Sequence, residues 1–418
     1  MSRRVLLCLL CALALPARAH AADEVHWTFT GPTSVTFDWR GSETTVRYGL
    51  TSAYGSTVTA VTPSPVPPSS SGPFWEARIG GLLAATSYHY AIGNGPDHLF
   101  HTPPLPGSSD FTVFAQGDIG DTASFSRVGP LQSTVAAGGP DLVLMVGDLT
   151  YANVNGQGAV DRHFNNVMKW SQDVAYMPVW GNHEWSSPDD LRNYKGRFDL
   201  PNAQASPGAP SLGGSGEDWS WFDYGNVRFI AYPEPYASAS WQDWSTQAAV
   251  LMDAAQADPA IQFIVTLGHR PAYSSGYHPG DATLQTTLGA LGDRHSKYVL
   301  NLNGHSHDYE RSFPQHGVVH VTAGPGGADL EESSGSCLWS GGCPAPSWSA
   351  YRAMHHVSLR LVFSANQIRG EALCGPAGDS GANRNDVSCA PGTVLDSFTI
   401  GGAPLADIIR PAAISDLH

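Results

Sequence analysis

Seven residues of types that bind metal ions stand at the ends of apolar runs: Asp118, Asp148, Tyr151, Asn182, His269, His305 and His307. Carboxylates, imidazoles, an amide and a phenol without a thiolate do not make a Cys-rich structural zinc site, but they suit hard or borderline ions held side by side. In Gly304-His305-Ser306-His307 two imidazoles lie one residue apart. In an extended segment both would face one side, and they could serve one metal each if the two metals were close together. Two ions about 3.5 to 4 Å apart, bridged by a carboxylate, stabilise the attacking and the leaving oxygen of a phosphoryl displacement.

Taken singly these residues say little, because an Asp after Gly at a strand end commonly caps a helix or makes a turn. Their order is informative. Gly-Asp-x-Gly at 117–120 is followed by Gly-Asp-x-x-Tyr at 147–151, Gly-Asn-His-Glu at 181–184, His269 after an apolar run, and Gly-His-x-His at 304–307. This set resembles the calcineurin-like metallophosphoesterases, and Tyr151 together with a preceding fibronectin-like segment narrows the resemblance to the purple acid phosphatases, over roughly residues 25 to 400.

The resemblance implies a ferric ion on Asp118, Asp148, Tyr151 and His307. It implies a divalent zinc, iron or manganese ion on Asp148, Asn182, His269 and His305, with Asp148 bridging. Asn182, His183 and His278 would contact the substrate phosphate, and the two histidines would protonate or stabilise the leaving alkoxide. The implied reaction is hydrolysis of small phosphate monoesters in acid, with metal-bound hydroxide attacking phosphorus in line. A phenolate suits a hard trivalent ion, whose charge lowers the phenol's pKa; the phenolate-to-iron transition colours the family. Two rival readings use the same chain: a phosphodiesterase or nucleotidase with this metal centre, and a non-catalytic surface-binding protein.

The chain departs from the family pattern in places. Thr266 stands where Val is usual and Val265 is one place early, so a one-residue adjustment is expected before His269. Ser306 and Asp308 are more polar than their counterparts, which would put an extra carboxylate near the iron. Glu310 and Arg311 read as an ion pair or backbone clamp, His355 and His356 as structural, and His278 lies in the loop-like stretch Ser274-Ser275-Gly276-Tyr277-His278-Pro279-Gly280.

The elements that must position these residues are apolar runs ending in Gly-rich turns. They include Phe111 to Ala115, Leu142 to Val146, Ile261 to Val265, Tyr298 to Leu302 and Val318 to Val321. Helical spacing covers Ser126 to Ala137, Ala159 to Ala175 and Trp241 to Ala257. The expected fold is an α/β layered metallophosphoesterase domain, a β-sheet sandwich flanked by helices, at 108–400, with ligands at one strand edge. Before it, 22–104 alternates apolar and polar residues in short runs and reads as an all-β sandwich. Its Gly81 to Tyr90 stretch resembles fibronectin type III domains. Pro103 to Gly107 is a stiff linker, and 401–418 a C-terminal tail.

Composition bounds the alternatives. The chain has 418 residues, 14% of them charged, with 45 Gly, 31 Pro and 12 Trp, which excludes coiled coils and disordered tails. Its net charge of -15 and lack of a basic run speak against nucleic-acid binding. Arg3 and Arg4 before an apolar run from Val5 to Leu15 read as a secretory signal peptide over 1–21, cut near Ala19 or Ala21, giving a secreted or periplasmic protein without a membrane anchor. The four cysteines beyond it are expected to pair locally, Cys337 with Cys343 and Cys374 with Cys389, against a competing zinc-site reading.

Overall fold

The computed structural model describes residues 22–214, 216–236, 241–378 and 383–401. The expected leader and all of the expected tail but Gly401 lie outside the described residues. Among the described residues no helix is long and apolar enough to cross a membrane.

Seven strands come first: β1 (Ala22–Gly31), β2 (Ser34–Gly41), β3 (Thr45–Gly49), β4 (Ser56–Thr59), β5 (Phe74–Ile79), β6 (Ser87–Ile92) and β7 (His98–His101). They form two antiparallel sheets, ordered β1-β2-β5 and β4-β3-β6-β7. Alternation sends Trp27, Phe29, Val35, Phe37 and Trp39 into the core and leaves a polar face of Glu24, His26, Thr28, Thr36, Asp38, Glu76 and Arg78. That face is not left to solvent. Thr28 Oγ1 donates to Asp199 O at 2.9 Å, and Glu24 pairs with Arg197 at 2.8 Å, both charges buried. Asp38, 2% exposed, has no hydrogen-bond partner on either oxygen.

Two mixed sheets follow. The first, ordered β10-β9-β8-β18-β19-β20, is built from β8 (Phe111–Gln116), β9 (Leu142–Val146), β10 (Ala175–Val179), β18 (Val357–Phe363), β19 (Gln367–Cys374) and β20 (Val394–Gly401). The second, ordered β11-β12-β13-β14-β16-β15-β17, comprises β11 (Trp221–Tyr224), β12 (Val227–Ala231), β13 (Phe263–Leu267), β14 (Tyr298–Asn303), β15 (Tyr309–Ser312), β16 (Val319–Ala323) and β17 (Ser349–Ala353). Val113, Leu144 and Val146 of one sheet share a buried cluster with Phe229, Val265 and Leu302 of the other. The parallel strands β8, β9 and β10 run together, as do β13 and β14, and their carboxyl ends meet at one edge.

Helices α1 (Val128–Ala137), α3 (Gly158–Ser171), α6 (Gln242–Ala257) and α7 (Ala282–Arg294) flank the sheets, and short helices α2 (Ala152–Asn155), α4 (Asn182–Trp185) and α5 (Arg192–Lys195) lie in loops. α3 buries Val160, Phe164, Val167 and Trp170 at helical spacing. It stops at Ser171, four residues short of the expected Ala175, because Ala175, Tyr176 and Met177 are buried consecutively and open β10. Pro178 is tolerated there because β10 is an edge strand. The four described cysteines form disulfides Cys337–Cys343 and Cys374–Cys389, which leaves none of them a thiolate for the competing zinc reading.

Candidate metal centre

The loops after β8 and β9 run side by side. Asp118 N, Ile119 N and Gly120 N donate to Gly147 O, Asp148 O and Leu149 O, each at 3.0 Å. Asp118, Asp148, Tyr151 and His305 all adopt left-handed backbone, with φ of 56°, 51°, 56° and 70°. The His-x-His segment is therefore not extended at His305, contrary to the expectation. A Cβ on Gly181 would sit on Asp148 Oδ1 and one on Gly304 on Asp118 Oδ2, so only glycine lets these loops approach.

The side chains gather in two groups. In the first, Tyr151 Oη lies 2.8 Å from His307 Nε2 and 3.3 Å from Asp118 Oδ1, with His307 Nε2 3.4 Å from the same oxygen. In the second, His269 Nε2 lies 3.0 Å from Asp148 Oδ2 and 3.2 Å from Asn182 Oδ1. Asp148, His269 and His305 each offer a ligand atom within 4.8 Å of the others. His269 Nδ1 donates to Val146 O at 3.0 Å and His307 Nδ1 to Asp329 O at 2.6 Å. Both rings thus turn Nε2 inward, the arrangement by which proteins orient metal-ligating histidines. The donors present, carboxylate and phenol in one group and imidazoles with an amide and a carboxylate in the other, fit a hard ion beside a borderline one.

Electrostatics points the same way. Burial opposes a charge on His269 and His307, yet Asp148 and Asp118 override it and push both rings up to about 10. Burial, then the charges of Asp118 and Asp148, push the Tyr151 phenol well above its usual range, so only a strong cation beside it would release the proton. Burial, His269 and Arg270 keep His305 neutral.

His183 and His278 border these groups. The backbone N–H of His183 donates to Asp148 Oδ1 at 2.8 Å, its Nδ1 lies 2.7 Å from Asn153 Oδ1, and its ring packs 4.2 Å from that of Tyr151. The His278 ring stacks on His305 at 4.0 Å, and its Nε2 lies 3.2 Å from a Glu331 oxygen.

Four residues at the site had no role in the sequence reading. Glu184 accepts from the amides of Asp148, Leu149 and Gly181 at 2.8, 2.8 and 2.7 Å; it closes the Gly-Asn-His-Glu string, which was its signal. Arg270 donates to His305 Nε2 at 2.6 Å and to buried Glu234. Its signal was a charge directly after His269. Asn153 and Glu331 carried none.

The departures resolve individually. The β13–β14 register shifts between Ile264 and Val265, which face Tyr298 and Leu300, so the irregularity before His269 is an extra residue, Val299, on the neighbouring strand. Ser306 Oγ donates to Asp308 Oδ2 at 2.5 Å, and that carboxyl lies against Gly276 of the 274–280 loop. Burial and Glu310 push Asp308 up to about 8. Glu310 is a clamp: it accepts from Ser275 N at 2.6 Å and Oγ at 2.8 Å, while Arg311 pairs with Asp396 at 2.7 Å. His355 and His356 are buried, with Nδ1 atoms facing backbone carbonyls.

Comparison with known proteins finds chains similar to this one. Residues 111–309 match the family described as calcineurin-like phosphoesterase. Acid phosphatase type 7 of Homo sapiens is 26% identical over 407 residues, covering 83% of this chain and 86% of that protein. Purple acid phosphatase 15 of Arabidopsis thaliana is 25% identical over 323 residues, 66% of this chain and 58% of the relative. The solved structure of a purple acid phosphatase from yellow lupin (Lupinus luteus) seeds shares the fold, with TM-score 0.68 and 19% identity over 93% of this chain and 78% of that one.

Proposed function

We propose that this chain, whose residues 111–309 match the family described as calcineurin-like phosphoesterase, is an exported acid phosphatase that hydrolyses small phosphate monoesters at a pair of metal ions. The observation that carries the reading is the meeting of two donor sets at one strand edge: Asp118, Tyr151 and His307 within 3.4 Å of one another, and Asp148 beside Asn182, His269 and His305. The first set would hold a ferric ion and the second a zinc, iron or manganese ion, with Asp148 shared. The acid phosphatase names of its relatives support the same reaction class.

Bound ions supply Lewis acidity to the phosphoryl oxygens and to the attacking water. The chain's own residues orient the ester and move protons. His183, anchored at Nδ1 by Asn153, presents Nε2 to the site and delivers a proton to the leaving alkoxide. The Tyr151 ring packs against one flank of His183. His278, held between His305 and Glu331, hydrogen-bonds the phosphoryl oxygens together with Asn182.

Residues 22–104 are read as a fibronectin type III-like sandwich preceding a catalytic domain at 108–400. The support is a tyrosine corner: Tyr88 Oη accepts from Leu83 N at 2.8 Å. Residues 1–21 are read as a cleaved leader, and two disulfides agree with an oxidising compartment.

Phosphate release from an aryl monoester and the matching diester, followed from about pH 4 to 8 with Asp148→Ala as the blank, tests this. Faster monoester turnover in acid, abolished in the blank, is the expected result. Turnover confined to the diester, or peaking near neutrality, overturns it.

A further inference from the structure

Arg270 follows His269 directly and reaches across to His305. Its Nη1 lies 2.6 Å from His305 Nε2, while Nε and Nη2 both donate to Glu234 Oε1, at 2.8 and 2.6 Å. Glu234 is 2% exposed and the Arg270 side chain 28%. One edge of the guanidinium is therefore tied down in the protein and the other rests on a candidate ligand at the site.

A guanidinium only donates, so His305 Nε2 must be the acceptor. His305 cannot keep that bond once it ligates a metal. If it ligates through Nε2, the lone pair is taken. If it ligates through Nδ1, the neutral ring carries its proton on Nε2, and two donors face each other. Short of removing both ring protons, every ligating form of His305 expels Nη1. Glu234 still holds Nε and Nη2, so the freed edge stays beside His305, next to the stacked ring of His278.

We propose that Arg270 is a phosphate-binding residue of this site: His305 holds its Nη1 edge while unligated and releases it on ligation, so the guanidinium engages a phosphoryl oxygen only when the centre is loaded. The inference rests on the phosphoesterase reading above. It makes Arg270 a contact to the substrate's anionic group and not a scaffold for the metal ligands, and a fixed guanidinium fork is well matched to phosphate oxygens.

The test uses the whole chain, metal-depleted and then zinc-loaded, titrated calorimetrically first with zinc and then with inorganic phosphate. Arg270→Ala is expected to take up as much zinc as the wild type, at equal or tighter affinity, because His305 no longer has a donor to expel. Its affinity for phosphate should fall about tenfold to a hundredfold, the size of a lost hydrogen bond to a charged group. Arg270→Lys keeps a positive charge beside buried Glu234 should the alanine variant fail to fold. It should also weaken phosphate binding, since an ammonium cannot hold Glu234 and the anion at once. Loss of zinc from either variant would make Arg270 a support for His305 and overturn the proposal. Unchanged phosphate affinity in the loaded variants would overturn it too. A wild type that binds zinc but no phosphate removes the phosphoesterase reading itself, a result distinct from the other two.

Discussion

Glu184 Oε2 accepts the backbone N–H of Asp148 at 2.8 Å, so the carboxylate from the Gly-Asn-His-Glu turn holds the neighbouring loop at the residue proposed to be shared by two metals. Its other oxygen takes Leu149 N, also at 2.8 Å, and Oε2 additionally takes Gly181 N. Glu184→Ala would strand buried amides and cost on the order of 3 kcal/mol or more. The purified variant should melt lower and hold less than the wild-type complement of metal. Glu184→Gln retains one acceptor oxygen and should sit between the two. Full metal content with an unchanged melting temperature in the alanine variant would refute the clamp.

Removing only the Tyr151 hydroxyl separates fold from colour. Tyr151→Phe keeps the ring packed on Phe125 and His183. It should therefore fold normally while losing the visible absorption of an iron–phenolate pair. A visible band that survives the substitution would mean that Tyr151 does not ligate iron.

His183 and Asn153 should behave as a graded pair. His183→Ala is expected to lower kcat for alkyl phosphates by about 10² to 10⁴, the usual range for a lost general acid, with a smaller loss for substrates whose leaving group needs no proton. Asn153→Ala, which frees Nδ1 without removing the ring, should give the same leaving-group dependence at lower amplitude. A loss independent of leaving group would argue for phosphate binding in place of proton delivery.

Stability should fall from acid towards neutral pH. At the junction between the first sheets and the rest of the chain, Asp38 faces Glu76 across β2 and β5, with Asp199 and Glu217 nearby and Arg78 pairing with Glu76 and Asp199. Burial pushes Glu217 up from its ordinary 4.5 to about 7 and Asp38 well above its usual range. A raised carboxyl pKa means that the folded state binds its proton more tightly. The stabilisation is complete below the ordinary carboxylate range and is lost as pH rises through about 7, at most about 3 kcal/mol for Glu217. Urea midpoints at pH 5 and 8 measure the difference. Asp38→Asn and Glu217→Gln should flatten it, and an unchanged slope in the double variant would assign it elsewhere.

How far the sequence revealed this site depends on the range of the signal. Asp118, Asp148, Asn182 and His269 were legible because each follows an apolar run whose continuous burial forces a strand to end there. The turn at His305 was not, since a left-handed backbone at the first of two histidines leaves no mark on periodicity. Arg270 and Glu234 meet through tertiary packing, and neither string around them hints at the other. The first sheets were readable as strands, but their alternation does not tell what the polar face meets. Only the structure shows Thr28 and Glu24 bonding to Asp199 and Arg197.

The left-handed conformation shared by Asp118, Asp148, Tyr151 and His305 bears on how such a chain would drift across generations. For any residue with a Cβ that geometry costs about 1 kcal/mol or more, and glycine would relieve it. A copy of the chain with no ion to bind would gain stability from glycine at any of these four places. Under the proposed function, that stability is forgone for side chains that hold ions.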